Sequence, residues 1–254
     1  MTARYYAPHL SDDDSCELGG GEFHHLTRVM RAGIGDRIVL FDGRGNAAEC
    51  KITGLTKICA SLQILERRSE PPEVVRHVVL ATAIPKADRF RWLVEKATEL
   101  GVSRLIPLQT TRSVTEPGSN KLDKMRVTVI EACKQSGRDR LMTIDAVTDW
   151  KAFLSEASGI GKIFVAHPGG TPVAEAREMT QRDRAIVLTV GPEGGFTESE
   201  IEQAVAAGGR RVSLGSNILR TETAAIALAA LCLLSAPFLG SGPGSAPTLN
   251  DSET

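Results

Sequence analysis

The run Ile186-Val187-Leu188-Thr189-Val190 passes straight into Gly191-Pro192-Glu193-Gly194-Gly195-Phe196. Aliphatic and β-branched residues without polar alternation predict a strand buried on both faces, as in a parallel sheet. Gly-Pro followed by Gly-Gly ends that strand in a loop whose backbone can approach a ligand closely. Thr197-Glu198-Ser199-Glu200 has the spacing of a capping box and predicts a helix start. A second unit of the same kind follows. Arg211-Val212-Ser213 predicts a short strand and Leu214-Gly215-Ser216-Asn217-Ile218-Leu219 a loop, after Arg220, Thr221 or Thr223 caps a helix that continues as the apolar run 224–236.

Working outward, residues 73–239 alternate strand and helix patterns. Strands are expected over 74–84, 104–108, 162–166 and 185–190, and helices over 87–100 and 121–136. Such alternation predicts an α/β domain with a mainly parallel sheet covered by helices on both faces. Residues 1–70 read differently, as short strands broken by turn chemistry over 36–41, 47–55 and 60–65, with Asp42-Gly43 closing the first; the expectation is a small β-barrel. Between them, residues 22–32 place Phe23, Leu26, Val29 and Met30 at helical spacing and leave His24, Arg28 and Arg31 for the other face. The charged, proline-paired stretch Glu66-Arg67-Arg68-Ser69-Glu70-Pro71-Pro72-Glu73 is the expected linker. Residues 240–254 are low in complexity and are expected to be a disordered tail.

Composition removes several classes of function. A formal net charge of −1 announces no overall basic character, so a nucleic-acid partner would need a local patch. Five cysteines, an odd number and never at C-x2-C spacing, argue against a disulfide framework and a zinc site; no metal is expected and a reducing, cytoplasmic setting is. The N-terminal residues show no basic-then-apolar signal pattern, and the apolar run 224–236 is too short to span a bilayer. Neither G-x-G-x-x-G nor G-x4-G-K-[ST] occurs, which disfavours dinucleotide and P-loop chemistry.

Taken together and in this order, Gly191-Pro192-Glu193-Gly194-Gly195 and Leu214-Gly215 with Leu219-Arg220-Thr221-Glu222-Thr223-Ala224 resemble the SPOUT class of methyltransferases, in particular the 16S ribosomal RNA small subunit methyltransferase E family. Pro85-Lys86-Ala87-Asp88-Arg89-Phe90 with Glu95-Lys96-Ala97-Thr98-Glu99-Leu100-Gly101 resembles that family's first helix of the domain, and Thr111-Arg112-Ser113-Val114 with Glu131 to Arg138 its second. At Met125 the family often carries Trp. The resemblance implies a PUA-like RNA-binding domain ahead of a SPOUT domain with a trefoil knot, S-adenosylmethionine as cofactor, a homodimer, and methylation of uridine N3 in 16S ribosomal RNA, presented free or in the 30S subunit. A related knotted transfer RNA methyltransferase and a non-catalytic RNA-binding assembly factor are the alternatives.

Methyl transfer from a sulfonium asks mainly for placement in line and exclusion of water. The strand-end loops are the expected cofactor site: Ala166, His167 and Pro168; Val190, Gly191, Pro192, Glu193 and Gly194; and Leu214, Gly215, Ser216, Asn217, Ile218 and Leu219. Uracil N3 carries a proton at neutral pH, so Arg220 is the candidate to hold the anionic base or its phosphate; the other reading is an ion pair with Glu222 or Glu193. Glu222 is the candidate base, a weak one beside an arginine. His24, Arg28, Arg31, Arg112 and Arg138 are the expected RNA contacts.

Overall fold

The computed structural model describes residues 2–10, 13–70, 77–86, 88–114, 119–178 and 185–234. Its first sheet joins β1 (Arg4–Tyr6), β2 (Ser15–Gly19), β3 (Arg37–Phe41), β4 (Asn46–Leu55) and β5 (Cys59–Ser69) in the order β1-β3-β4-β5-β2. Only the β1 to β3 pairing is parallel. The sheet encloses a core of its own, built from Tyr5, Leu18, Phe23, Leu26, Ile38, Leu40, Cys50, Ile52 and Leu62. Alternation explains how the same strands serve a second purpose: Ile38 and Leu40 point into that core, while Val39 and Phe41 join the core of the following domain.

The expected linker is partly strand. Asn46, Ala47, Ala48 and Glu49 pair with Ser69, Arg68, Arg67 and Glu66, so the ladder supplies backbone partners while Arg68, Arg67 and Glu66 remain exposed. Residues 71–76 lie outside the described residues. The helix expected over 22–32 also differs. α1 (Gly20–His24) gives way to a π-helical turn, His25–Val29, in which the Met30 amide donates to the His25 carbonyl at 3.1 Å. The extra residue in that turn rotates the apolar face out of register. Phe23 and Leu26 are buried, but Val29 and Met30 are 63% and 52% exposed.

The second domain is α/β, as its alternation predicts. β6 (His77–Ala83), β7 (Arg104–Gln109), β8 (Thr143–Ile144), β10 (Lys162–Pro172), β11 (Ala185–Val190) and β12 (Arg210–Ser213) form a parallel sheet in the order β12-β10-β11-β6-β7-β8, with β9 (Thr148–Asp149) also on β7. α2 (Arg89–Leu100), α3 (Ser119–Ser136) and α7 (Thr221–Leu233) cover one face; α4 (Trp150–Ile160) and α6 (Glu198–Ala206) cover the other, and α5 (Val173–Glu178) follows β10. Val78, Leu80, Ile186, Leu188 and Phe164 face the first group, Val79, Ala81, Val187, Ile163 and Val165 the second. Pro107 sits where β8 has ended and β9 has not begun, so its missing N–H breaks no ladder on that side.

Ion pairs are among the contacts that tie the domains. Asp139, after α3, accepts from Arg4 Nη2 and from Arg68 Nε, the latter at 2.9 Å, and Lys134 of α3 reaches Glu22 of α1 at 3.2 Å. Among the described residues no helix is long and apolar enough to cross a membrane. The tail expected to be disordered lies outside the described residues.

Candidate active site

Parallel strands point their carboxyl ends, and the loops that follow, to one side of the sheet. At that side three loops enclose a cleft of about 410 Å³. The first comes from a break in β10, where the register against Val212 shifts from Ala166 to Thr171, so that His167 and Pro168 leave the ladder and line the cleft. The His167 ring is also structural, since its Nδ1 accepts the Gly169 amide at 3.1 Å.

The second loop follows β11. Val190, Gly191, Pro192 and Glu193 line the cleft with Gly195 and Phe196. Gly191 is required by packing inside the loop: a Cβ there would stand 3.1 Å from the Phe196 ring, which stacks in turn on Trp150 with centroids 4.7 Å apart. Gly194 does not line the cleft. Its side faces Arg112, whose Cδ lies 3.3 Å from where a Cβ would be, and whose guanidinium donates to the Gly194 carbonyl at 2.7 Å. The expected capping box is present: Thr197 Oγ1 accepts from the Glu200 amide at 3.2 Å and the Glu200 carboxylate accepts from the Thr197 amide at 2.7 Å.

The third loop, Leu214 to Leu219, lines the cleft along its whole length, with Gly215 at φ +117 and open space beside it. The helix that follows is not capped by Thr221 or Thr223. Arg220 stands at the N-cap without a capping side chain, because the Thr221 hydroxyl donates instead to the Gly191 carbonyl at 3.1 Å.

The cleft thus gathers every expected cofactor residue except Gly194, and adds Gly195, Phe196, Ser213, Thr221 and Ala224. Phe196 was legible as the end of the glycine loop; Thr221 and Ala224 needed the fold, which folds the helix start against the first loop. Arg220 is exposed just beyond the wall, and among the described residues no ion pair joins it to Glu222 or Glu193. Glu222 turns the other way, with Oε1 3.6 Å from Arg89 of α2 and Oε2 without a partner among the described residues. Of the expected RNA contacts, His24, Arg28 and Arg31 are exposed on the first domain, Arg31 at φ +53. Arg138 is turned inward, donating to the Thr98 carbonyl at 3.0 Å, and burial pushes its pKa down.

Comparison with known proteins bears on both domains. Residues 71–233 match the model of the RNA methyltransferase domain, and residues 18–65 that of the RNA methyltransferase PUA domain. Ribosomal RNA small subunit methyltransferase E of Bacillus subtilis is 33% identical over 225 residues, spanning 85% of this chain and 88% of that protein. The chain belongs to the ribosomal RNA small subunit methyltransferase E family. The relative from Synechocystis is 33% identical over 86% of this chain and 72% of its own length. The crystal structure of the family member from Neisseria gonorrhoeae bound to S-adenosyl methionine superposes with a TM-score of 0.82 at 32% identity, covering 91% of this chain and 96% of that one. A PUA-type first domain and an α/β methyltransferase domain are therefore this family's arrangement here, and among the described residues no cluster of side chains is arranged to hold a metal ion.

The cleft fits S-adenosylmethionine by its chemistry. Val190, Phe196, Leu219 and Ala224 offer apolar walls to a flat ring, and the peptide groups of Ile218 and Leu219 enter no backbone hydrogen bond among the described residues. Apolar surface with a few free backbone groups is what an adenosine needs.

Proposed function

We propose that the protein transfers a methyl group from S-adenosylmethionine to N3 of a uridine in 16S ribosomal RNA. The observation that carries this reading is the single cleft formed by the loops after β10, β11 and β12 in a chain of this family. The cofactor, when bound, supplies an electrophilic methyl group that needs little further activation. The chain's own residues do the rest. The loops at Ala166 to Pro168, Val190 to Glu193 and Leu214 to Leu219 bind the donor and exclude water from it. Arg220, exposed between the lining residues Leu219 and Thr221, holds the negative charge that collects on the uracil oxygens as N3 gives its proton to solvent, and the N3–CH3 bond forms as the S–CH3 bond breaks and S-adenosylhomocysteine leaves. Glu222 faces Arg89 instead of the cleft, so no base is assigned to it.

The acceptor is read as the RNA of the 30S subunit, gripped by the first domain through His24, Arg28 and Arg31. The family's knot is read as the path that carries the third loop past the second. A homodimer is supported by α7, whose outward strip of Ala227, Leu231 and Leu234 is apolar, with Leu234 71% exposed. Mass spectrometry of 16S and transfer RNA from a deletion strain tests the function: loss of methyl-uridine from 16S RNA alone is expected, and an unchanged 16S RNA overturns it. Sedimentation equilibrium tests the assembly, and a 27.2 kDa species that still methylates RNA would remove the dimer.

A further inference from the structure

The loop 191–197 is held from behind by a turn that the cleft does not contain. Where β7 ends at Gln109, residues 110–113 close on themselves: the Thr110 amide donates to Ser113 Oγ at 3.0 Å and the Ser113 amide to the Thr110 carbonyl at 3.1 Å. From this turn two bonds cross to the cofactor loop and its helix. The Thr111 amide donates to Glu200 Oε1 at 2.8 Å, and Arg112 Nη1 donates to the Gly194 carbonyl at 2.7 Å. The other oxygen of Glu200 takes the Thr197 amide at 2.7 Å. One carboxylate, 4% exposed, therefore joins the turn after β7 to the end of the cofactor loop, with Thr111 and Glu200 89 residues apart in the chain.

We infer that Glu200 and Arg112 are positioning residues for the methyl donor, fixing the loop 191–197 against the turn after β7 and so setting the shape of the cleft without touching what it holds. A buried carboxylate is tolerable only when its oxygens are satisfied, and here backbone N–H groups from both loops satisfy them. Burial pushes the Glu200 carboxyl up, but the hydrogen bonds from Thr111 and Thr197 outweigh it and hold it below the ordinary carboxylate range. An amide in its place would turn an NH2 toward one of two N–H donors and open one side of the joint. Glycine at 194 belongs to the same device, since it lets the Arg112 side chain lie flat along the loop. This assigns Arg112 to the cofactor loop and not to RNA.

The inference rests on the cleft being the cofactor site, and the test separates the two. Glu200→Gln and Arg112→Gln are titrated with S-adenosylmethionine by calorimetry and assayed against 30S subunits. The dissociation constant for S-adenosylmethionine is expected to rise about tenfold in Glu200→Gln, and about threefold in Arg112→Gln, through loss of charge-assisted bonds. KM for the cofactor rises with it, while kcat at saturating cofactor and KM for RNA stay within about twofold of wild type. Asp145→Ala is the stability control: it removes the carboxylate that accepts from Arg104 Nε at 2.9 Å at the start of β7, the end of that strand away from the turn, and leaves the joint alone. Equal loss of cofactor affinity in that variant overturns the inference, as does unchanged affinity in a folded Glu200→Gln. Arg112 is exposed, so its variant remains informative if Glu200→Gln fails to fold. Weakened RNA binding with normal cofactor binding in Arg112→Gln returns that residue to RNA. Ala224→Leu, in the cleft wall, tests the underlying reading; if it too binds normally, the cleft assignment fails and not the joint alone.

Discussion

The Thr221 hydroxyl donates to the Gly191 carbonyl across 3.1 Å, joining the first turn of α7 to the end of β11. Two loops separated by a helix and a strand are thereby fixed at one corner of the cleft. Thr221 is 3% exposed, so little solvent competes for its hydroxyl. Thr221→Val keeps the shape and removes the donor. It is expected to cost about 1–3 kcal/mol in chemical denaturation, and to weaken S-adenosylmethionine binding in calorimetry.

Asp139 is the residue most exposed to test at the domain boundary. Its side chain is 12% exposed and that of Arg4 is 8% exposed, with Arg4 also 5.0 Å above the Phe41 ring. Asp139→Ala leaves Arg4 a buried charge with its carboxylate gone. A loss of about 3 kcal/mol is expected, with the two domains unfolding in separate steps by calorimetry. A single transition at the wild-type midpoint would contradict it.

Tyr5 predicts behaviour at high pH. It is fully buried, its hydroxyl has no partner among the described residues, and burial, with Glu22 second, pushes its pKa from 10.0 up to about 12. An acid with a raised folded pKa contributes stability that is complete below pH 10 and is lost as the pH rises through about 12. Tyr5→Phe should therefore flatten the fall in stability across that window, and change stability at pH 7 by less than about 1 kcal/mol. Alkaline denaturation curves that coincide for the two proteins would refute this.

For RNA, Arg28→Gln with Arg31→Gln removes two exposed cations from the first domain. The slope of log affinity against log salt should fall by about two, or somewhat less on single strands, with cofactor affinity unchanged. Filter binding over a salt series measures it, and a slope equal to wild type would show that neither arginine meets phosphate.

Much of this architecture was legible before any coordinates. The unbroken apolar run at 186–190 read as a strand buried on both faces, and Thr197 with Glu200 announced a helix start that the structure contains. The resumption of β10, by contrast, gave no signal: the loop expected after Ala166 is there, but the strand pairs again at Thr171 and Pro172 after His167 to Gly170 leave the ladder. The apolar spacing through Val29 and Met30 misled for a related reason, since the π-helical turn changes the period midway.

Local chemistry, then, was decided by the sequence itself: which segments are strands, where the glycine loops fall, and the capping box that starts α6, whereas the cap expected from Thr221 or Thr223 was lost to a contact across the fold. The former depend on contacts within a few positions, and side-chain type is enough to specify them. Which residues meet across the fold was decided by tertiary structure alone. Arg112 lies on Gly194, Thr111 on Glu200, Thr221 on Gly191 and Glu222 beside Arg89, and each pairing joins segments brought together only by the order of strands in the sheet. A hydrogen bond needs its partners within a few tenths of an ångström, and no pattern of residues along one chain carries distances between segments that far apart.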